Sequence, residues 1–222
     1  MEGAGVEEGG GGSVLTFDAP SHVYRVDNEP VEWTVTQLLE AAGISPDYSK
    51  VNPAVLHHAR MRGIHVDACC ALDDSPEGLD WSTVHPQAVG YVQAWQCFKA
   101  DYGYRPLASQ LILYHPEYGY AGTADCVGLL DGYPVVAERK ATAKMAPSYA
   151  LQTAGYACEG LHMAPPGGGV LEPVPWITPA RLGVHLLPSG RYEVHPYEDT
   201  DDDAAWLGVL ALARWRKATR GR

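Results

Sequence analysis

A chain of 222 residues in which 46% are hydrophobic carries enough apolar material for one full-sized packed core. No apolar run approaches the ~18–20 residues that span a bilayer. The opening Met1–Ser13 segment has neither the basic nor the apolar region of a signal peptide, so a soluble, intracellular (cytoplasmic) protein with no membrane partner is expected. A net charge of −11 counts against gripping nucleic acid by charge alone. It does not exclude an acidic metal site, which attracts phosphate once cations fill it.

In chain order, Met1–Ser13 is Gly/Glu-rich and expected to be disordered, leaving 14–222 as a single domain. His22 to Val26 reads as a short strand, turned by Asp27-Asn28. Thr34 opens a helix through Gln37, Leu38 and Leu39, which Gly43 stops. A second helix is expected from Pro53 to Cys70, followed by a loop from Asp73 to Asp80. Pro86 suits the first turn of a third helix, whose Val89, Val92, Trp95 and Phe98 recur at core-facing spacing until Gly103 and Pro106. Three strands follow, Leu107–Tyr114, Tyr120–Leu130 and Pro134–Ala141, separated by turns at His115-Pro116-Glu117 and Asp131-Gly132. A helix from Pro147 to about Leu161, a loop over 164–175, and a hairpin (Leu182–Leu187, Tyr192–His195) around Ser189-Gly190 come next. Asp201, Asp202 and Asp203 favour the start of a last helix ending near Arg216.

The five cysteines, Cys69, Cys70, Cys97, Cys126 and Cys158, contain no CxxC pair. An iron–sulfur cluster needs four well-placed thiolates, and the last third of the chain offers only Cys158, so no such cluster is expected and the thiols read as reduced. Arg214, Arg216, Lys217, Arg220 and Arg222 crowd the C-terminus, as a phosphate contact or as a solvated helix end.

The chemistry concentrates between Leu107 and Tyr156. On a strand, Val136, Glu138 and Lys140 share one face while Val135, Ala137 and Arg139 share the other. Asp125, expected at the end of the preceding strand, is folded back beside Glu138 by the Asp-Gly turn. Two adjoining carboxylates repel unless a cation sits between them, and oxygen ligands of this kind suit Mg²⁺ or Mn²⁺. Lys140 would then hold the attacking water and counter charge on a phosphate. Taken alone, 137–144 also reads as a solvated helix; Val135-Val136 and the Asp131-Gly132 turn favour a strand. Neither GxSxG nor a supported Cys–His pairing competes. Apart from His65, considered below, the histidines, His57-His58 included, show no ligand spacing.

Gly122 to Asp125, then Glu138 to Lys140, then Gln152 with Tyr156 resemble the GxxD, (D/E)xK and QxxxY motifs of the PD-(D/E)XK nuclease superfamily, in its RecB-type exonuclease branch of phage and mitochondrial-genome-maintenance exonucleases. Arg62-Gly63-Ile64-His65 is similar to that branch's RGxxH-like motif, and His22-x-Tyr24 and Val35–Leu39 are similar to its opening; the likeness spans His22 to Gly160. The resemblance implies an α/β restriction-endonuclease-like core, a mixed central sheet flanked by helices. It further implies that Asp125, Glu138, the Arg139 main-chain carbonyl and His65 hold metal, that Lys140 acts on the water, and that Gln152 and Tyr156 contact Lys140 or the DNA backbone. Many members carry a glutamate where this chain has Gln110, expected to share a strand face with Ile112 and Tyr114; Glu117 is a possible substitute. The expected function is a Mg²⁺- or Mn²⁺-dependent DNA exonuclease of recombination, replication or repair, plausibly phage-encoded, with DNA and a recombination or replication protein as partners. The alternatives are an endonuclease using the same site, or a nuclease fold that binds DNA or protein without cutting.

Overall fold

Alternating apolar residues build the strands and 3.6-residue spacing builds the helices. The structure, a computed structural model, describes residues 12–220. The chain begins with β1 (Val14–Asp18), β2 (Val23–Val26), β3 (Glu29–Pro30), β4 (Trp33–Thr34), α1 (Val35–Ala42), α2 (Pro53–Asp74) and α3 (Val89–Tyr102). A meander of β5 (Arg105–His115), β6 (Tyr120–Leu130) and β7 (Tyr133–Lys140) leads into α4 (Ser148–Ala157). Then come β8 (His162–Ala164), β9 (Gly168–Val170), β10 (Glu172–Pro173), β11 (Ala180–Leu186), β12 (Tyr192–Pro196) and α5 (Asp201–Arg220).

The architecture is α/β with a mixed sheet of eight strands, ordered β10-β8-β5-β6-β7-β11-β12 with β4 added alongside β6. The β7–β11 and β4–β6 pairs are parallel; the other neighbours are antiparallel. One face of this sheet, through Leu111, Leu113, Ala124 and Val136, packs on Val35 and Leu38 of α1, Ala154 and Tyr156 of α4, and Trp206 and Leu210 of α5. The other face, through Cys126, Val135, Ala137 and Val184, packs on Cys70 of α2 and on Val92, Trp95 and Phe98 of α3. A smaller sheet, β3-β2-β1-β9, brings Leu15 and Tyr24 against Ile112 and Ala121. Among the described residues no helix is long and apolar enough to cross a membrane.

Local chemistry sets several boundaries. Thr34 and Gln37 close a capping box at the start of α1, and Gly43 ends it at φ 76°. Helix α2 continues past Cys70, so Asp73 and Asp74 are helical rather than part of a loop; both carboxylates are held by Lys99. Pro86 lies in a turn ahead of α3, and α4 ends at Ala157, short of Leu161. The 164–175 segment contributes β9 and β10 instead of remaining a loop. His22, at φ 53°, precedes β2 rather than belonging to it. Helix α5 runs past Arg216 to Arg220.

Of the Met1–Ser13 tail expected to be disordered, residues 1–11 lie outside the described residues, and at its end the Ser13 carbonyl accepts a hydrogen bond from the Leu171 amide. Within the C-terminal basic cluster, Arg222 and the Arg220 side chain also lie outside the described residues. The remaining members hold α5 down: Arg214 donates to the Glu117 carbonyl, Arg216 to the Ala41 carbonyl, and Lys217 pairs with Glu32 at 2.8 Å.

Candidate active site

Strands β6 and β7 are joined through Asp131 (φ 49°) and Gly132 (φ 85°), the two left-handed positions a tight hairpin requires. Their ladder runs from Leu130↔Tyr133 to Cys126↔Ala137. Asp125 is the next residue beyond this ladder, in the middle of β6 and not at its end, because β5 keeps pairing along β6 as far as Tyr120. There the Arg139 amide donates to Asp125 Oδ2 at 2.9 Å, a side-chain bond in place of a ladder bond.

The strand pleat is interrupted at the same level. In β5, Ala108 and Leu111 face the α1/α4/α5 core, while the two residues between them, Ser109 and Gln110, both bond to α2. Gln110 adopts φ 56°, a left-handed backbone in mid-strand. In β6, Ala124 and Val127 face that core, and Asp125 and Cys126 lie between them. A paired irregularity of this kind re-aims side chains, and here it turns Gln110 toward α2 and Asp125 toward the main chain of β7.

Glu138 is 1% exposed. Its Oε1 accepts from Lys140 Nζ and, at 2.7 Å, from Gln152 Nε2. Its Oε2 is buried with no hydrogen-bond partner. Burial first, then the Asp125 charge, push the Glu138 carboxyl up to about 8 despite Lys140. Burial opposes the charge on Lys140, but Glu138 and Asp125 outweigh it and hold the ammonium well above its ordinary range. Lys140 also lies 4.8 Å from the Tyr149 ring centroid.

Two acids on α2 escaped the sequence reading. Asp67 accepts from Arg139 Nη2 at 2.8 Å and from the Gln110 amide. Desolvation, then Asp125, raise it to about 6. Asp74 accepts from Arg139 Nη1, Ser109, Trp95 and Lys99 at 2.7–3.0 Å. The Arg139 side chain lies 5.0 Å from the Trp95 ring centroid and also donates to the Asp125 carbonyl. Arg139 thus contributes more than its main-chain carbonyl, since its guanidinium ties α2 to β6. The spacing Asp67, Cys70, Asp74 on one helix face was the available signal. It was hidden because Asp73-Asp74 reads equally well as the start of a loop.

Several expected residues do come together: Asp125 bonds the Arg139 amide, while Glu138 bonds Lys140 and Gln152. Gln152 meets Glu138 rather than Lys140. Tyr156 is 3% exposed and packs against Gly122, where an added Cβ would lie 2.6 Å from its ring; it supports Gln152, 3.5 Å from its hydroxyl, and is too buried to touch DNA. Arg62 reaches the Ala141 carbonyl just past β7, at 3.5 Å. His65 is not part of this group. It lies roughly 200° around α2 from Asp67, where its Nε2 accepts from the His85 amide at 3.0 Å. Glu117 sits in the β5–β6 turn beside Arg214. Gln110 brings no charge of its own, but its amide grips the Asp67 carboxylate.

The donor set suits a hard divalent cation: mutually destabilised carboxylates and an unpartnered buried carboxylate oxygen. Asp125 and Glu138 would hold it, with the Arg139 carbonyl; Asp67 is held instead by Arg139 and Gln110. The ligand atoms of Asp67, Asp125 and Glu138 do not all lie within 4.8 Å of one another; Lys140 and Gln152 hold the Glu138 carboxylate. No protein-family model matches this chain, and no curated protein gives a significant match.

Proposed function

We propose that the protein is a metal-dependent DNA nuclease of the PD-(D/E)XK type, acting from ends as an exonuclease in recombination, replication or repair. The observation that carries this reading is Glu138: a fully buried carboxylate with one unpartnered oxygen, beside Asp125 and in contact with Lys140. The antiparallel β5–β6–β7 meander, followed by α4 and a parallel β11, supports a restriction-endonuclease-like core.

Mg²⁺ or Mn²⁺, when bound, would polarise a phosphodiester and lower the pKa of water. The chain's own groups do the rest. Gln152 fixes the orientation of Glu138, and Lys140 offers a permanent positive charge to the water and the phosphate. Arg139 pairs with Asp67 and Asp74, while Glu138 pairs with Lys140 through one oxygen and keeps the other without a hydrogen-bond partner.

The acidic balance of the chain supports action from ends. Landing on a duplex interior needs a broad basic surface, and the net charge is −11, with Arg214, Arg216 and Lys217 engaged within the fold. Linear duplex, linear single-stranded and covalently closed circular DNA, compared in Mg²⁺, test this. Linear DNA should be degraded to short products while the circle survives. Rapid nicking of the circle would replace the exonuclease with an endonuclease, and a protein that shifts DNA without cutting any form would leave only a binding module.

A further inference from the structure

A second group of ligating side chains lies on the β11–β12 hairpin, on the side of β7 away from β6. The cross-strand register sets His185 opposite Glu193 and Gly183 opposite His195, so period-two alternation puts all three side chains on one face. His185 Nδ1 is 3.1 Å from Glu193 Oε2, and His195 Nε2 is 3.8 Å from the same oxygen. Among the described residues this is the only group of three or more His, Cys, Asp or Glu whose ligand atoms all lie within 4.8 Å of one another.

The hydrogen bonding selects what the group can hold. His185 Nε2 lies 2.8 Å from the Thr142 carbonyl, which can only accept, so Nε2 carries a proton and Nδ1 is the nitrogen left to present a lone pair to a metal. That lone pair faces a carboxylate oxygen, itself only an acceptor. His195 Nε2 is buried with no hydrogen-bond partner and points toward the same oxygen. Protons on the two imidazoles would tie each ring separately to Glu193, whereas a metal ion would draw on both ring nitrogens and the carboxylate oxygen at once.

The spacing fits as well. Ligands about 2.05 Å from a tetrahedral ion lie about 3.3 Å from one another, close to the 3.1 and 3.8 Å observed. The His185–Thr142 bond is the outer contact that orients a ligating imidazole. Two imidazoles and one carboxylate suit Zn²⁺ in preference to Mg²⁺ or Ca²⁺. Glu193 is exposed, His195 is partly exposed and His185 is buried, so the group lies near the surface.

We propose that His185, Glu193 and His195 form a Zn²⁺-binding site, with Nδ1, Oε2 and Nε2 as ligands, separate from the Asp125–Glu138 centre. Because His185 pairs with Lys140 across β11–β7 and bonds Thr142, an ion there would brace the end of the strand that carries Lys140. The site needs no nuclease activity to exist, so it stands or falls independently of the proposed function.

The full-length protein, stripped with chelator and dialysed against Zn²⁺ in excess Mg²⁺, should retain about one equivalent of zinc by elemental analysis, with three protein ligands and an open fourth position. Its melting temperature should rise with zinc. Co²⁺ should give the visible absorption of a tetrahedral N/O site. His195→Ala and Glu193→Gln, folded by circular dichroism, should bind at least about tenfold more weakly and lose the thermal shift, while Asp125→Asn should keep both. Zinc retention unchanged in both hairpin variants would overturn the site, as would wild-type protein that holds no zinc. A hairpin that responds to pH but not to metal would show that a proton alone sits there.

Discussion

Asp74 is the residue whose loss should reveal how the candidate site is held. Its side chain is 2% exposed, yet it accepts four hydrogen bonds: Trp95 Nε1 and Lys99 Nζ on Oδ1, Ser109 Oγ and Arg139 Nη1 on Oδ2. Asp74→Ala removes every acceptor at once. Arg139, itself 2% exposed, keeps Asp67 and the Asp125 carbonyl but loses its other carboxylate. Breaking a buried pair in this way costs about 3–5 kcal/mol, and leaving the buried Trp95 and half-buried Ser109 donors unpaired adds about 1–3 kcal/mol. Against a total stability of about 5–15 kcal/mol, the variant should stand near the edge of folding. Asp74→Asn preserves shape and one acceptor oxygen, so its loss should be smaller, but its amide would point a donor at Arg139 or Lys99. Urea unfolding followed by tryptophan fluorescence measures both variants. A change below about 1 kcal/mol for Asp74→Ala, the scale of an exposed ion pair, would refute the idea that this network anchors α2 to the sheet.

Two further outcomes follow from buried side chains. His115 is 2% exposed; one ring nitrogen faces the Glu159 carbonyl and the other accepts from the Tyr118 amide, so the neutral ring satisfies both and burial holds its pKa below the ordinary value. The unfolded chain therefore binds a proton that the folded chain refuses. Stability from this group is complete above about pH 6.5 and is lost as pH falls, and thermal melts from about pH 7.5 to about pH 5.5 should decline less steeply in His115→Gln than in wild type. Gly122→Ala places a methyl group 2.6 Å from the Tyr156 ring and 3.1 Å from Val35, and should cost about 1–3 kcal/mol by overpacking. Tyr156→Ala should rescue part of that loss in the double variant, and strictly additive melts would contradict the contact.

The parts of the fold legible in the sequence were those written in local periodicity. The Tyr120–Leu130 strand, the Asp131-Gly132 turn and the Thr34–Gly43 helix were read to within a residue, because alternation and capping are near-neighbour effects. The faces of β7 were legible for the same reason, with Val136 and Val135 going to opposite cores. What was hidden depends on pairing at a distance. Ser109 and Gln110 bond to α2 only because the backbone at Gln110 turns left-handed, which no pattern in Leu107–Tyr114 encodes. The choice between His65 and Asp67 is a rotation about α2, decided by where Arg139 lies. The convergence of His185, Glu193 and His195 needs the hairpin register, which places 183 opposite 195.

The proposed function makes Asp125, Glu138 and Lys140 a metal-dependent centre for phosphodiester hydrolysis. It is tested by the rate of cleavage of linear duplex DNA in Mg²⁺ or Mn²⁺ by wild-type protein, Asp125→Asn, Glu138→Gln and Lys140→Ala, each with its fold checked by circular dichroism. Cleavage should stop with chelator, return with metal, and fall by orders of magnitude in all three variants. Glu138→Gln keeps the shape of the side chain and removes only the charge that, with Asp125, would hold a cation, so it is the sharpest of the three. Cleavage at the wild-type rate by folded Glu138→Gln, or cleavage indifferent to chelator, would contradict the proposed function.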